Sequence, residues 1–297
     1  MAAVETRLDE IAAGLPGSAL VAVRDRVWTA GDPAARYPIY SVTKTAVAAA
    51  ILLLARERAL DLAPARRLLD HTSGIRDYGS LPAYHEAVRT RPGHAWSDDE
   101  LLARATADGP LFPPGGGWAY SNTGYLLLRR LLDEHGGLAA LLPRLALGGA
   151  AVAEEPADYL AAVTAASALI HDGVEDVRGV YDPRWVGHRS LVASVTDLLP
   201  FWSRLPGALT RPEDAVPIGS AARGFVRPSY GLGVMTDPEH PLGTLVGHGG
   251  GGPGYAAAVF TVPAAETVAI VLTADERHPA QATALSLLAT ALGHPGF

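Results

Sequence analysis

The stretch IYSVTKTAVAAAILLLA, residues 39–55, contains the longest apolar run of the chain, AVAAAILLLA, with no charge, Gly or Pro in it. A helix that crosses a bilayer needs about 20 apolar residues, so this shorter run reads as a helix buried in protein. Ser41 and Lys44 stand at its start, three positions apart. Upstream, SALVAVRD and RVWTAG are two short β-rich runs with Asp25 and Arg26 between them, the pattern of a hairpin. Before them Val4, Leu8, Ile11, Ala12 and Leu15 recur at helical spacing until Pro16 and Gly17 end the pattern. Downstream, from about residue 61 to 214, Leu, Ala and Arg dominate, Pro and Gly punctuate, and few segments alternate with period two. That part reads as helical and loop-rich. After the turn-rich stretch RLPGALTRPEDAVPIGS, strand-like runs return as YGLGVMTD, GTLVGH, YAAAVFTV and ETVAIVLTA, and AQATALSLLATAL closes the chain as a helix. Hairpin spacings this short join antiparallel neighbours, because parallel ones need crossovers of a dozen residues or more. The expected fold is therefore α/β of the α+β kind. A mainly antiparallel sheet from residues 1–60 and 215–297 is flanked by the N- and C-terminal helices, and a mostly helical domain, residues 61–214, is inserted, with the active site at their interface.

Composition narrows the function classes. With 297 residues, 48% of them hydrophobic and 19% charged, the chain can bury a sizeable core and does not match a disordered protein. A net charge of −7 supplies no basic field, which argues against nucleic acid and anionic membrane surfaces as partners. The absence of Cys removes disulfides, thiol nucleophiles and thiolate metal sites. None of the ten His forms an H-E-x-x-H pair, so no metal and no cofactor is expected. The N-terminus MAAVETRLDEIAAGL carries acidic residues where a signal peptide has a basic segment and an unbroken apolar core, which predicts a cytoplasmic protein.

Two scarcities point to chemistry. Of the 24 basic residues only Lys44 is Lys, the rest being Arg, and Asn122 is the single Asn. Lys44 follows Ser41 in SVTK, and Asn122 follows Tyr120 in YSN; the single Gln, Gln281, keeps no such company. A guanidinium does not lose its proton in a protein, whereas a desolvated lysine amine can become a base, so a base at position 44 has to be Lys. Residues i and i+3 share a helix face, which places the amine within reach of the Ser41 hydroxyl as in an activated nucleophile. Plainer roles exist for each residue: Ser41 as a helix N-cap, Tyr120 as a core tyrosine with a satisfied hydroxyl, Asn122 as a turn or cap residue, and GHGGGGPGY, residues 247–255, as a flexible hairpin carrying a solvated His248.

Taken in order, SVTK, LLDHTSGIRDYG, FPPGGGWAYSNTGYLLLRRLL, SLVASVTDL, YGLGV and GHGGGGPGY resemble the serine β-lactamase and penicillin-binding-protein superfamily, in its class C β-lactamase-like branch of esterases, D-aminopeptidases, D-Ala-D-Ala carboxypeptidases and some acyltransferases. The resemblance runs over about residues 15 to 275. It implies that Ser41 attacks the substrate carbonyl and is acylated, that Lys44 and Tyr120 jointly move the protons, and that Asn122 orients the substrate amide. His248 and Gly250 match the first and last positions of the third motif and are implied to bind substrate. The backbone N–H groups of Ser41 and Gly251 are implied to form the oxyanion hole.

Two departures shape the expectation. The branch's β-lactamases carry Lys-Thr-Gly at the third motif, where a cation holds the drug's carboxylate; here the motif is His248-Gly249-Gly250, and a largely neutral imidazole predicts weak β-lactam turnover. The segment near 140–190 lacks the usual long arm, which predicts an open or differently shaped cleft. The expected activity is that of a serine hydrolase acting through an acyl-enzyme on a small ester, amide or D-configured peptide. The alternatives are an acyltransferase of the same fold and a retired enzyme serving as a ligand-binding or sensory module. Trp118, Tyr78, Tyr230 and Tyr255 lie near the motifs, where aromatic residues serve either packing or the pocket wall.

Overall fold

The structure is a computed structural model that describes residues 2–167, 176–211, 214–219 and 224–294. Parts of the 140–190 segment, of the 61–214 stretch and of the turn-rich stretch after residue 204 therefore lie outside the described residues. Chain order begins with α1 (Ala2–Ala12), β1 (Gly17–Val23), β2 (Arg26–Ala30), β3 (Tyr37–Pro38), a 3-10 turn at Tyr40–Val42 and α2 (Thr43–Arg56). It continues through α3 (Leu62–Leu69), α4 (Pro82–Thr90), α5 (Asp98–Thr106), α6 (Asn122–Asp133), α7 (Gly137–Leu141), β4 (Ala151–Ala153), α8 (Pro156–Ala162), β5 (Ser190–Ala193) and α9 (Val195–Trp202). It ends with β6 (Val216–Pro217), β7 (Ser229–Tyr230), β8 (Met235–Asp237), β9 (Leu245–Gly252), β10 (Tyr255–Val262), β11 (Thr267–Thr273) and α10 (Ala280–Ala291).

The main sheet runs β2-β1-β11-β10-β9-β8-β7-β6, and every described pairing in it is antiparallel. All of β10 and β11 is buried, because the sheet is covered on both faces. Val268, Ile270 and Leu272 of β11 join one apolar cluster with α2 and α9, while Ala269 and Val271 join the other with α1 and α10. Burial on both faces explains why these strands read as continuous apolar runs rather than alternating ones. A second sheet of three short strands, β3-β5-β4, also antiparallel, lies beside the helical layer.

Three expectations shift in detail. The β1–β2 hairpin forms, but Val23 pairs with Arg26, so its turn is Arg24 and Asp25. The run YGLGVMTD splits into β7 and β8, because Gly231 N–H donates to the Val234 carbonyl and folds the chain into a turn. The strand expected to end at His248 continues through Gly252, with Gly249, Gly250 and Gly251 facing Ala258, Ala257 and Ala256 of β10. The glycine run is thus a paired strand and not a flexible hairpin.

Helix α2 is positioned by small side chains. Thr43 through Ile51 are all buried, and the alanines let neighbouring backbone approach closely. A Cβ built on Gly233, which sits at φ +76°, would lie 2.4 Å from the Ala48 Cβ, and Thr45 donates to the Gly233 carbonyl at 2.8 Å. The chain enters α2 through Tyr40 at φ 44°, a left-handed conformation that costs an L-residue energy and has to be held by its surroundings. Tyr40 N–H donates to Ser190 Oγ at 2.9 Å and Tyr40 Oη donates to the Pro253 carbonyl at 2.8 Å, so the turn that carries Ser41 is tied to both sheets.

Candidate active site

Three stretches far apart in the chain, residues 40–44, 71–77 and 119–122, come together around Ser41. The 3-10 turn brings Ser41 and the first turn of α2 brings Lys44, whose Nζ lies 2.9 Å from Ser41 Oγ. Tyr120 comes from the loop before α6 and donates its hydroxyl to Ser41 Oγ at 2.8 Å. His71 clamps that loop: Ala119 N–H donates to the His71 carbonyl and Ser121 N–H to His71 Nδ1, both at 3.1 Å, while the imidazole packs 4.4 Å from the Tyr120 ring. Asn122 opens α6, and its Oδ1 lies 2.7 Å from Lys44 Nζ. Its Nδ2 donates to Asp77 Oδ2 at 3.1 Å and its backbone N–H to Asp77 Oδ1 at 2.9 Å. Asp77 accepts only, which fixes which end of the Asn122 amide faces the lysine.

Burial governs the electrostatics. Lys44 is fully buried, and desolvation lowers its pKa from 10.5 to about 7, against the opposing pull of the Asp77 carboxylate. Burial pushes the Tyr120 hydroxyl up, with the Ser41 hydrogen bond opposing, so it stays protonated and acts as a donor. Burial also raises the Asp77 carboxyl, while hydrogen bonds from Gly79 and Asn122 hold it back.

The third motif is placed differently from the first two. His248 is 3% exposed; its Nε2 meets Tyr230 Oη at 2.9 Å, and burial together with the Lys44 charge lowers its pKa to about 3. It is a neutral imidazole and lies outside the lining of the cavity at Ser41. Gly250 is outside that lining too, but a Cβ built on it would meet the Ile39 carbonyl oxygen at 2.3 Å and the Ser41 nitrogen at 3.1 Å. Only glycine lets β9 run this close to the turn that carries Ser41. A Gly250→Ala enzyme is therefore expected to lose about 10²-fold in kcat/KM by displacing Ser41 from Lys44; wild-type kinetics would show that the contact relaxes freely. Gly251, the next residue, lines the cavity with Ser41.

That cavity holds about 630 Å³. Its wall includes Tyr40, Tyr78, Tyr84, Val88, Tyr181 and Val186, and its polar groups include Ser41, Asn122, His188, Glu276 and Arg277. Of the four aromatic candidates only Tyr78 lines it; Tyr230 packs on His71 and His248, Trp118 packs on His71 and Tyr230, and Tyr255 donates to the Ala165 carbonyl. A larger cavity of about 820 Å³, between the C-terminal half of α2 and residues 200–211, contains no nucleophile beside a base. Among the described residues no group of three His, Asp or Glu is placed to hold a metal ion, and no helix is long and apolar enough to cross a membrane.

Sequence reasoning missed Asp77, His71 and His188. Asp77 and His71 sit inside LLDHTSGIRDYG, where their spacing to a motif residue was visible but their hydrogen bonds were not. His188 belongs to no motif spacing at all.

The chain matches the Beta-lactamase family over residues 2–292 and belongs to it. Among curated proteins it is similar to a D-aminopeptidase of Cereibacter sphaeroides, 28% identical over 246 residues that cover 77% of this chain and 45% of that protein. It thus spans less than half the length of that relative. Among solved structures it is similar to a D-stereospecific amidohydrolase from a Streptomyces species, with TM-score 0.77 and 23% identity over 96% of this chain and 97% of the other. The D-amino acid amidase of Ochrobactrum anthropi, complexed with L-phenylalanine amide, follows with TM-score 0.76 and 19% identity over 99% and 97% of the two chains. At these identities the structural likeness speaks for the fold.

Proposed function

We propose that the chain is a serine hydrolase that cleaves a D-configured amide, peptide or small ester through an acyl-enzyme on Ser41. The observation that carries this reading is Ser41 Oγ held between Tyr120 Oη at 2.8 Å and Lys44 Nζ at 2.9 Å. Lys44, with its pKa near 7, takes the Ser41 proton as the oxygen attacks the carbonyl. The Tyr120 hydroxyl, kept protonated by burial, steadies the nucleophile and passes a proton to the leaving amine, which Lys44 then replaces. Water repeats the sequence to release the acid. Backbone N–H groups of Ser41 and Gly251 receive the developing oxyanion, a reading supported by the close passage of β9 beside Ser41. A neutral His248 offers no cation for a β-lactam carboxylate, which favours uncharged amides over such drugs.

The tyrosines and valines of the cavity wall suit an apolar acyl side chain, and the similarity to enzymes named for D-amino acid and D-amide chemistry supports the configuration. Ammonia release from D- and L-phenylalanine amide tests this directly. The D-enantiomer is expected to be preferred by at least about tenfold; equal rates or a preference for L would overturn the assignment of configuration. The pH profile tests the base. Below about pH 7 Lys44 carries its extra proton and cannot accept another, so kcat/KM should rise through that range and level off above it. A profile that keeps full kcat/KM well below pH 7 would remove the neutral Lys44 amine from the role of base.

A further inference from the structure

His188 lies where the mechanism above gives it no task. It is 2% exposed, lines the cavity, and its Nε2 is 3.5 Å from Lys44 Nζ. Its backbone is held from both sides. Gly187 N–H donates to Tyr78 Oη at 2.8 Å and the Gly187 carbonyl accepts from Arg129 Nε at 3.0 Å. Beyond it, the Arg189 guanidinium pairs with Asp98 at 3.2 Å and Glu154 at 3.1 Å, and Leu191 N–H donates to Thr43 Oγ1 at 2.9 Å. Side chains fixed in this way on rigid supports are how a site holds a geometry.

Lys44 Nζ has three polar neighbours: Ser41 Oγ, Asn122 Oδ1 and His188 Nε2. A neutral amine has two N–H bonds and one lone pair. Asn122 Oδ1 can only accept, because Asp77 takes hydrogens from the amide's other end. If His188 Nε2 also accepts, both N–H bonds are used and the lone pair is left facing the Ser41 hydroxyl. If Nε2 carried the proton, it would compete with Ser41 for that lone pair. Resting on the proposed acyl-enzyme chemistry, we infer that His188 is a positioning residue. Protonated on Nδ1 and accepting at Nε2, it turns the Lys44 amine so that its lone pair faces Ser41.

His188 is kept neutral by burial first and then by the nearby Lys44 charge, with the Tyr40 backbone pulling the other way, so one ring nitrogen keeps a lone pair that can accept. Nδ1 is buried without a hydrogen-bond partner, so a proton there costs an unsatisfied N–H that the orientation of the Lys44 amine has to offset.

The test compares wild type, His188→Leu and His188→Gln in the burst of nitrophenolate from p-nitrophenyl acetate, with melting temperatures alongside. Leu fills the space without an acceptor and should acylate Ser41 about tenfold or more slowly, the effect of losing one orienting hydrogen bond. Gln, whose Oε1 accepts, should recover most of that loss. Wild-type acylation by His188→Leu, or a His188→Gln enzyme as slow as His188→Leu, overturns the inference. Should both variants fail to fold, the histidine nitrogen resonances of 15N-labelled wild type decide. A proton on His188 Nδ1 supports the inference and a proton on Nε2 refutes it. Absence of any nitrophenolate release by folded wild type would strike the acyl-enzyme reading instead, and the nitrogen resonances would still report the tautomer.

Discussion

A Lys44→Arg enzyme is expected to lose about 10³-fold or more in kcat/KM. Arginine keeps the positive charge and much of the length, but its guanidinium does not give up its proton at any pH the protein survives. The depressed Lys44 pKa, which burial produces, has no counterpart in arginine. Members of one proton-transfer unit also fail together, so single removals have effects of this size. The larger guanidinium has to fit among Asn122, His188 and the rings of Tyr120 and Tyr125, which lie 4.9 and 5.4 Å from Nζ. Lys44→Met is therefore the companion variant: it keeps the chain length, buries no charge and should be as inactive while melting no lower than wild type. Either variant within tenfold of wild type would remove Lys44 from the role of base.

A Tyr120→Phe enzyme is expected to lose at least about 10²-fold, the usual contribution of a positioned proton donor or acceptor. The substitution is confined to one oxygen. Phe keeps the packing against His71 and leaves the Ala119 and Ser121 hydrogen bonds to His71 in place, so the loop before α6 should not move. The loss should appear mainly in kcat, since the hydroxyl contacts the nucleophile and not the cavity wall. A change under about threefold would return Tyr120 to a packing role.

Much of this arrangement was legible in the residues. The β1–β2 hairpin, the late strands and the buried helix α2 carry period or composition strong enough to read, and Lys44 and Asn122 stand out in a chain that otherwise avoids their residue types. The path of β9 was not legible past His248. Glycines carry no side-chain alternation, and the pairing of Gly249 to Gly252 is set by Tyr255 to Ala258 and by the need to approach Ile39 and Ser41. The sheet β3-β5-β4 escaped for another reason: strands of two to four residues are too short to show a period of two. Helix α9 lies in the helix-rich stretch of the sequence yet packs against β11 and β1, a contact decided by tertiary burial of Val195, Leu198, Phe201 and Trp202. Within the site, residues joined by a short motif could be paired by spacing. Asp77 reaches Asn122 across 45 positions and His188 reaches Lys44 across 144, and no local pattern encodes such distances.

The central claim is that Ser41 becomes acylated and then deacylated. Intact-protein mass recorded during reaction with an activated p-nitrophenyl ester, for wild type and Ser41→Ala in parallel with nitrophenolate release, measures both steps at once. The account predicts a transient mass increase equal to the acyl group on wild type alone, with release continuing after the burst. Folded wild-type protein that shows neither adduct nor release, or a Ser41→Ala enzyme that turns over at the same rate, would contradict it.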